Sequence, residues 1–177
     1  MMPKQMTLQE INTLDQERFV MAFGSLFEGP PWIVRQAWHA RPFNSLTHLH
    51  EALCTVMYHA PVEQQVALIQ AHPDLVGLAA LAGTLTPEST NEQASVGLDR
   101  LSPEEIATFT RLNRAYDGRF GFPFVICVRE NKKESILAGF ATRLQHSQSR
   151  EIETALDEIA KICWYRLRDT VLWDGVE

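Results

Sequence analysis

Between Arg150 and Arg168, the residues Ile152, Leu156, Ile159, Cys163 and Leu167 recur at three- and four-residue spacing. That period lines side chains up on one face of an α-helix. The same rhythm returns along most of the chain. Phe19, Val20 and Phe23 share a face within Gln16–Phe23, and Trp32–His39 resumes the pattern. Leu46, Leu49, Leu53, Val56 and Met57 form another stripe, and Val62, Val66 and Ile69 the next. Ser135–Leu144 is helical by the same test. Between the stripes stand breakers and caps: Gly24, Gly29-Pro30-Pro31, and the turn Arg41-Pro42-Phe43-Asn44-Ser45, which ends in N-cap residues. Pro61 suits a first helical position, and Pro73 disfavours helix at His72. Thr86-Pro87 opens a further helix. Ser102-Pro103-Glu104-Glu105 opens one predicted to run to about Tyr116 and stop at Gly118. One run breaks the rhythm. Phe122-Pro123-Phe124-Val125-Ile126-Cys127-Val128 is β-prone, yet no second strand is available to pair with it. The expectation is an all-α, single-domain helical bundle over residues 1–177, with one extended buried segment near 122–128.

A chain of 177 residues buries roughly 70% of its unfolded surface, enough for a true core. A net charge of −6 argues against nucleic acid and anionic membrane as partners. Cys54, Cys127 and Cys163 are widely spaced with no CxxC, which fits buried inert thiols and a reducing compartment. No apolar stretch reaches membrane-spanning length. Met1-Met2-Pro3-Lys4-Gln5 lacks the apolar run of a signal peptide, and Trp173-Asp174-Gly175-Val176-Glu177 is not a peroxisomal address. Cytoplasm is the default expectation.

Two blocks carry chemistry. In Ala71-His72-Pro73-Asp74-Leu75, an imidazole stands at a helix exit. Such a histidine can serve as a cap for the last carbonyls. It can equally face a cleft and transfer protons, because imidazole titrates near neutrality. In Ser89-Thr90-Asn91-Glu92-Gln93, the spacing Ser89-x-x-Glu92 matches a structural capping box. If Thr86-Pro87 is the helix start, however, Ser89, Glu92 and Gln93 lie inside the helix on one face and present hydroxyl, carboxylate and amide together. Arg143, late in its helix, suits the dipole there or a two-pronged grip on a carbonyl or carboxylate. His39, His48, His50, His59 and His146 do not show metal-ligand spacing: His50-Glu51 begins like HExxH, but Cys54 stands where the second histidine belongs. No metal site is expected. Trp32, Trp38, Trp164 and Trp173 fit core or interface positions.

Taken in order, Phe27-Glu28, Pro31-Trp32-Ile33, Arg41-Pro42-Phe43, the His72 block, the Ser89–Gln93 block, Phe120-Gly121-Phe122-Pro123-Phe124 and Arg143-Leu144 resemble the OHCU decarboxylases of urate degradation (OHCU is 2-oxo-4-hydroxy-4-carboxy-5-ureidoimidazoline). The resemblance runs from about Leu14 to Leu167; Arg119 stands where the family often carries lysine. It implies a helical fold, no cofactor, (S)-allantoin as product and a homodimer. The family's catalytic pair falls on His72 and Glu92. Its substrate-binding positions fall on Pro73, Ser89, Gln93 and Arg143, with Phe122, Phe124 and Ile126 lining the pocket. Two other readings stay open: action on a different ureido or imidazoline acid, and a non-catalytic helical interaction module in which His72 and Glu92 are only caps.

Overall fold

The structure, a computed structural model, describes residues 4–77, 80 and 83–173. The expectations about the two chain ends fall largely outside these residues. The fold is all-α. Its α-helices among the described residues include α1 (Leu8–Thr13), α2 (Gln16–Phe23), α3 (Trp32–Ala37), α4 (Leu46–His59), α5 (Val62–Gln70), α6 (Pro87–Ser95), α7 (Pro103–Phe120), α8 (Lys133–Arg143) and α9 (Gln148–Thr170). Among the described residues the only β pairing is an isolated bridge between Met6 and Val171. No described helix is long and apolar enough to cross a membrane.

The caps explain where these helices begin. Ser45, Thr86 and Ser102 each accept a hydrogen bond from the backbone N–H three residues on, satisfying a donor that the helix itself leaves open. Sequence reading missed α1, whose Thr7–Glu10 pair forms a reciprocal capping box. It also ended α7 too early. Gly118 lies inside that helix, which continues to Phe120 because Phe120 is buried against Tyr116, with ring centroids 4.7 Å apart. Gly121 takes the left-handed conformation (φ 76°) that ends the helix, a conformation glycine adopts without a Cβ penalty.

The chain forms two compact units, one comprising residues up to Val62 together with those from Ala160 onward, the other Glu63–Ile159. In the first, Phe19 packs on Phe23 and Phe43 (centroids 4.9 and 5.9 Å), and the Asn12 amide bonds both backbone groups of Phe43. A buried ion pair joins Arg166 to Glu28 at 3.2 Å. In the second, Phe109, Tyr116, Phe122, Phe124 and Phe140 form an aromatic cluster, with Phe124 stacked on Phe140 at 3.8 Å.

The run 122–127 is neither helix nor paired strand among the described residues. Phe122, Phe124, Val125 and Cys127 in it are buried, while Pro123 and Ile126 are half-buried. Val128, counted with the run in the sequence, instead opens a 3-10 turn, Val128–Glu130. Buried backbone groups still require partners, and side chains supply them. Arg143 Nη1 donates to the Val125 carbonyl (2.5 Å), the Cys127 N–H donates to Glu158 (2.9 Å), and Asn131 donates to the Cys127 carbonyl (2.8 Å). Side chains thus replace the missing ladder.

Candidate active site

Helix α6 has an unusual composition for a packed element: Pro87-Glu88-Ser89-Thr90-Asn91-Glu92-Gln93-Ala94-Ser95. Its buried residues are Ser89, Glu92 and Gln93. A helix normally docks through an apolar stripe, and burying polar groups costs about 1–3 kcal/mol each unless they are matched. This helix therefore docks by polar contacts. Its N-cap is Thr86, which accepts from the Ser89 N–H at 3.2 Å, so Ser89 and Glu92 do not form a capping box at the helix start.

The His72 block leads out of α5. The His72 N–H donates to the Ile69 carbonyl, and the imidazole Nδ1 donates to the Leu68 carbonyl at 3.0 Å. The capping role is therefore real. It also fixes the tautomer: with Nδ1 as donor, a neutral ring carries its lone pair on Nε2. Asp74 is held above the usual carboxylate range by partial burial and, second, by the charge of Asp117. The loop that follows is tight. A Cβ on Gly77 would lie 2.7 Å from that of Asp74, so no larger residue fits there. Val76 is buried at φ 54°, a strained setting for a β-branched residue. Two side chains hold it in place: Gln93 Oε1 accepts from the Val76 N–H at 3.1 Å, and Asn113 Nδ2 donates to the Leu75 carbonyl at 2.7 Å. The first of these bonds ties α6 to the loop carrying His72.

Arg143 closes the last turn of α8 and is buried. Its Nε donates to Glu151 (2.5 Å), its Nη1 to the Val125 carbonyl (2.5 Å) and its Nη2 to the Tyr116 hydroxyl (3.4 Å), while its guanidinium lies 4.2 Å from the Phe124 ring centroid. Glu151, fully buried, also accepts a short hydrogen bond from the Tyr116 hydroxyl and one from His146 Nδ1 (2.9 Å). Burial, then the bond to Glu151, raises the Tyr116 phenol above its ordinary range, so it stays a donor.

Nine polar or charged residues are buried among those described, and five of them are His72, Ser89, Glu92, Gln93 and Arg143. All five belong to the Glu63–Ile159 unit. So do Phe122 and Phe124, which are buried, and Pro73 and Ile126, which are half-buried. Sequence reading missed Tyr116, Asn113 and Glu151. For Glu151 a signal existed. It stands in register with Ala155, Ile159, Cys163 and Leu167, all buried, so a carboxylate occupies the core stripe of α9. Among the described residues no group of three or more His, Cys, Asp or Glu side chains is placed to hold a metal. His48 instead accepts from the Asn44 N–H, and His50 donates to the Ala160 carbonyl.

Comparison with known proteins agrees with the motifs. The family model described as OHCU decarboxylase matches residues 12–168. The chain belongs to this family. A relative from Haloferax volcanii, 2-oxo-4-hydroxy-4-carboxy-5-ureidoimidazoline decarboxylase, is 42% identical over 93% of this chain and 96% of its own length. Solved structures share the fold. A crystal structure of (S)-allantoin synthase superposes with a TM-score of 0.72 at 23% identity, covering 93% of this chain and 54% of that one. A crystal structure of OHCU decarboxylase in the presence of (S)-allantoin gives 0.63 at 19% identity, covering 87% and 96%.

Proposed function

We propose that this chain is a lyase that decarboxylates OHCU to (S)-allantoin in urate degradation, without a cofactor. Membership of the family supports the reaction. The single structural observation that carries the site is α6, which buries a hydroxyl, a carboxylate and an amide and no apolar side chain, and which is bonded through Gln93 to the loop behind His72.

The substrate explains why no cofactor is required. One ring carbon bears both the leaving carboxylate and a hydroxyl; its neighbour bears the ureido group and is double-bonded to nitrogen. When the bond to the carboxylate breaks, its electron pair forms a C=C bond to that neighbour, and the C=N pair moves to nitrogen, which takes a proton. The ring is its own electron sink, the job a cofactor does elsewhere. Carbon dioxide leaves, and an enaminol remains. Loss of the hydroxyl proton and protonation of the neighbouring carbon on one face then give the product its hand.

In this scheme His72 Nε2 takes the hydroxyl proton as carbonyl character develops, with the Leu68 carbonyl holding the tautomer. Glu92 binds ring or ureido N–H groups and disfavours the carboxylate by like charge. Ser89, Gln93 and Arg143 hold carbonyl oxygens, Pro73 sets the direction of the imidazole, and Phe122, Phe124 and Ile126 wall the pocket and exclude water. His72→Ala and Glu92→Ala are expected to lose activity by roughly 10²–10⁴-fold with helical circular dichroism intact, measured on freshly generated OHCU with chiral detection of allantoin. Activity near wild type in either variant removes that residue from the scheme.

The family match across residues 12–168 supports a single functional domain spanning both compact units. A homodimer, implied by the resemblance, is tested by the mass in solution at micromolar concentration. Three free buried cysteines support residence in a reducing compartment, the cytoplasm by default.

A further inference from the structure

Arg143 is the one buried arginine of the Glu63–Ile159 unit among the described residues, and its surroundings do not suit a carboxylate trap. Its Nε is spent on Glu151, which is itself 0% exposed, and its Nη1 on the Val125 carbonyl. Glu151 gathers two further donors, the Tyr116 hydroxyl and His146 Nδ1. This carboxylate is charge-matched by Arg143 and anchored from two other directions. The guanidinium can pivot only by breaking buried bonds, and its positive charge is cancelled at contact distance.

That cancellation matters for a decarboxylation. The substrate's carboxylate is charged at the start and leaves as neutral carbon dioxide. A bare arginine beside it would stabilise the ground state more than the transition state and so raise the barrier. Beyond the bonds to Val125 and to the Tyr116 hydroxyl, a neutralised Arg143 keeps one N–H on each terminal nitrogen, a fixed pair to offer a neutral carbonyl. We propose that Glu151 is a positioning residue of the reaction: it locks the Arg143 fork and cancels its charge, so that the site grips a ureido or ring carbonyl and leaves the departing carboxylate unstabilised. This rests on the placing of Arg143 in the substrate site under the proposed function. Tyr116 and His146 hold Glu151 in turn, and the guanidinium lies over the Phe124 ring, 4.2 Å from its centroid.

The test uses two stable five-membered probes, 2-oxoimidazolidine-4-carboxylate and its carboxamide, with affinities measured by calorimetry on the full chain. Glu151→Gln unmasks one positive charge. It is expected to tighten the acid relative to the amide by about tenfold to thirtyfold, and to lower KM and kcat together on OHCU, the signature of a stabilised ground state. Glu151→Asp keeps the charge and is expected to keep the wild-type acid-to-amide ratio. A ratio unmoved in Glu151→Gln, or moved equally in Glu151→Asp, overturns the proposal. If Glu151→Gln does not fold, the double variant Arg143→Gln/Glu151→Gln removes both charges and leaves no orphaned ion. An unchanged ratio there supports cancellation, and a tenfold weakening of the acid alone overturns it. Binding of (S)-allantoin separates the two levels of failure. If the unaltered chain does not bind it, the site assignment falls and this inference with it. If allantoin binds but the ratio fails as above, only the role of Glu151 is lost.

Discussion

Gln93→Met tests how the His72 loop is held. Gln93 Oε1 is the acceptor for the buried N–H of Val76, 3.1 Å away. Val76 sits at φ 54°, where a β-branched residue is strained by about 1–3 kcal/mol. Two favourable contributions offset this. Burying the valine side chain, 2% exposed, contributes about 1.5–3 kcal/mol, and the hydrogen bond prevents an orphaned donor that would cost about 1–3 kcal/mol. Methionine matches glutamine in length but supplies no strong acceptor, so the second contribution disappears while the strain remains. A loss near 2 kcal/mol predicts a Tm about 4–8 °C lower for a chain of this size. It also predicts hydrogen exchange at the Val76 amide faster by about thirtyfold, since each 1.4 kcal/mol of local opening is about tenfold. Turnover falls as well, because the loop that carries His72 loosens and, under the proposed function, the amide that holds a substrate carbonyl is gone; stability and exchange therefore carry the test. The assay is native-state hydrogen exchange alongside thermal unfolding. A Tm within 1 °C of wild type (about a quarter of the smallest expected shift) together with unchanged Val76 exchange would refute the reasoning.

Further outcomes follow from the same bookkeeping. Asn113→Leu leaves the Leu75 carbonyl without its 2.7 Å donor; stability is expected to fall by about 1–3 kcal/mol in urea titration, with reduced activity. Glu158→Leu strips the Cys127 N–H of its 2.9 Å acceptor and is expected to destabilise the extended run by a similar amount, read as faster exchange at that amide. Burial first, then the Glu51 charge, pushes the Cys54 thiol from 9.0 up to about 12, and burial first, then Glu130, pushes Cys127 up to about 11. Above pH 9 the unfolded chain loses thiol protons that the native chain keeps, so stability is whole below that pH and declines as pH rises toward the folded values. Each such thiol contributes a slope of up to about 1.4 kcal/mol per pH unit. Cys54→Ala should flatten the fall in urea midpoint between about pH 9 and 11, and an unchanged slope argues against the burial of that thiol.

Much of this protein was legible in its residues because local rules and tertiary structure agree. The stripe of α4 and the start of α6 at Thr86-Pro87 follow from periodicity and capping, which act within a few residues. Gln16–Phe23 is helical over the span its pattern marks. Local rules failed where distant packing decided. Gly118 looks like a stop, but burial of Phe120 carries α7 one turn further. The segment 122–127 looks like a strand without a partner; only the folded chain brings Arg143, Glu158 and Asn131 to its backbone.

The candidate site divides in the same way. His72, Ser89, Glu92 and Gln93 stand out in the chain because motif spacing puts titratable and amide groups at a helix exit and on one helix face. Order and spacing also sufficed for the family, since each block is short and its residues are neighbours. The surroundings of those groups came from the tertiary structure alone. Gln93 bonds a residue 17 positions away, and Arg143 reaches Val125 across 18. Tyr116 meets Glu151 across 35. No local propensity encodes such pairings. A carboxylate in the stripe of a long helix can only hint at a buried partner; which partner it finds, and so which charge it cancels, is settled when the elements pack and water leaves.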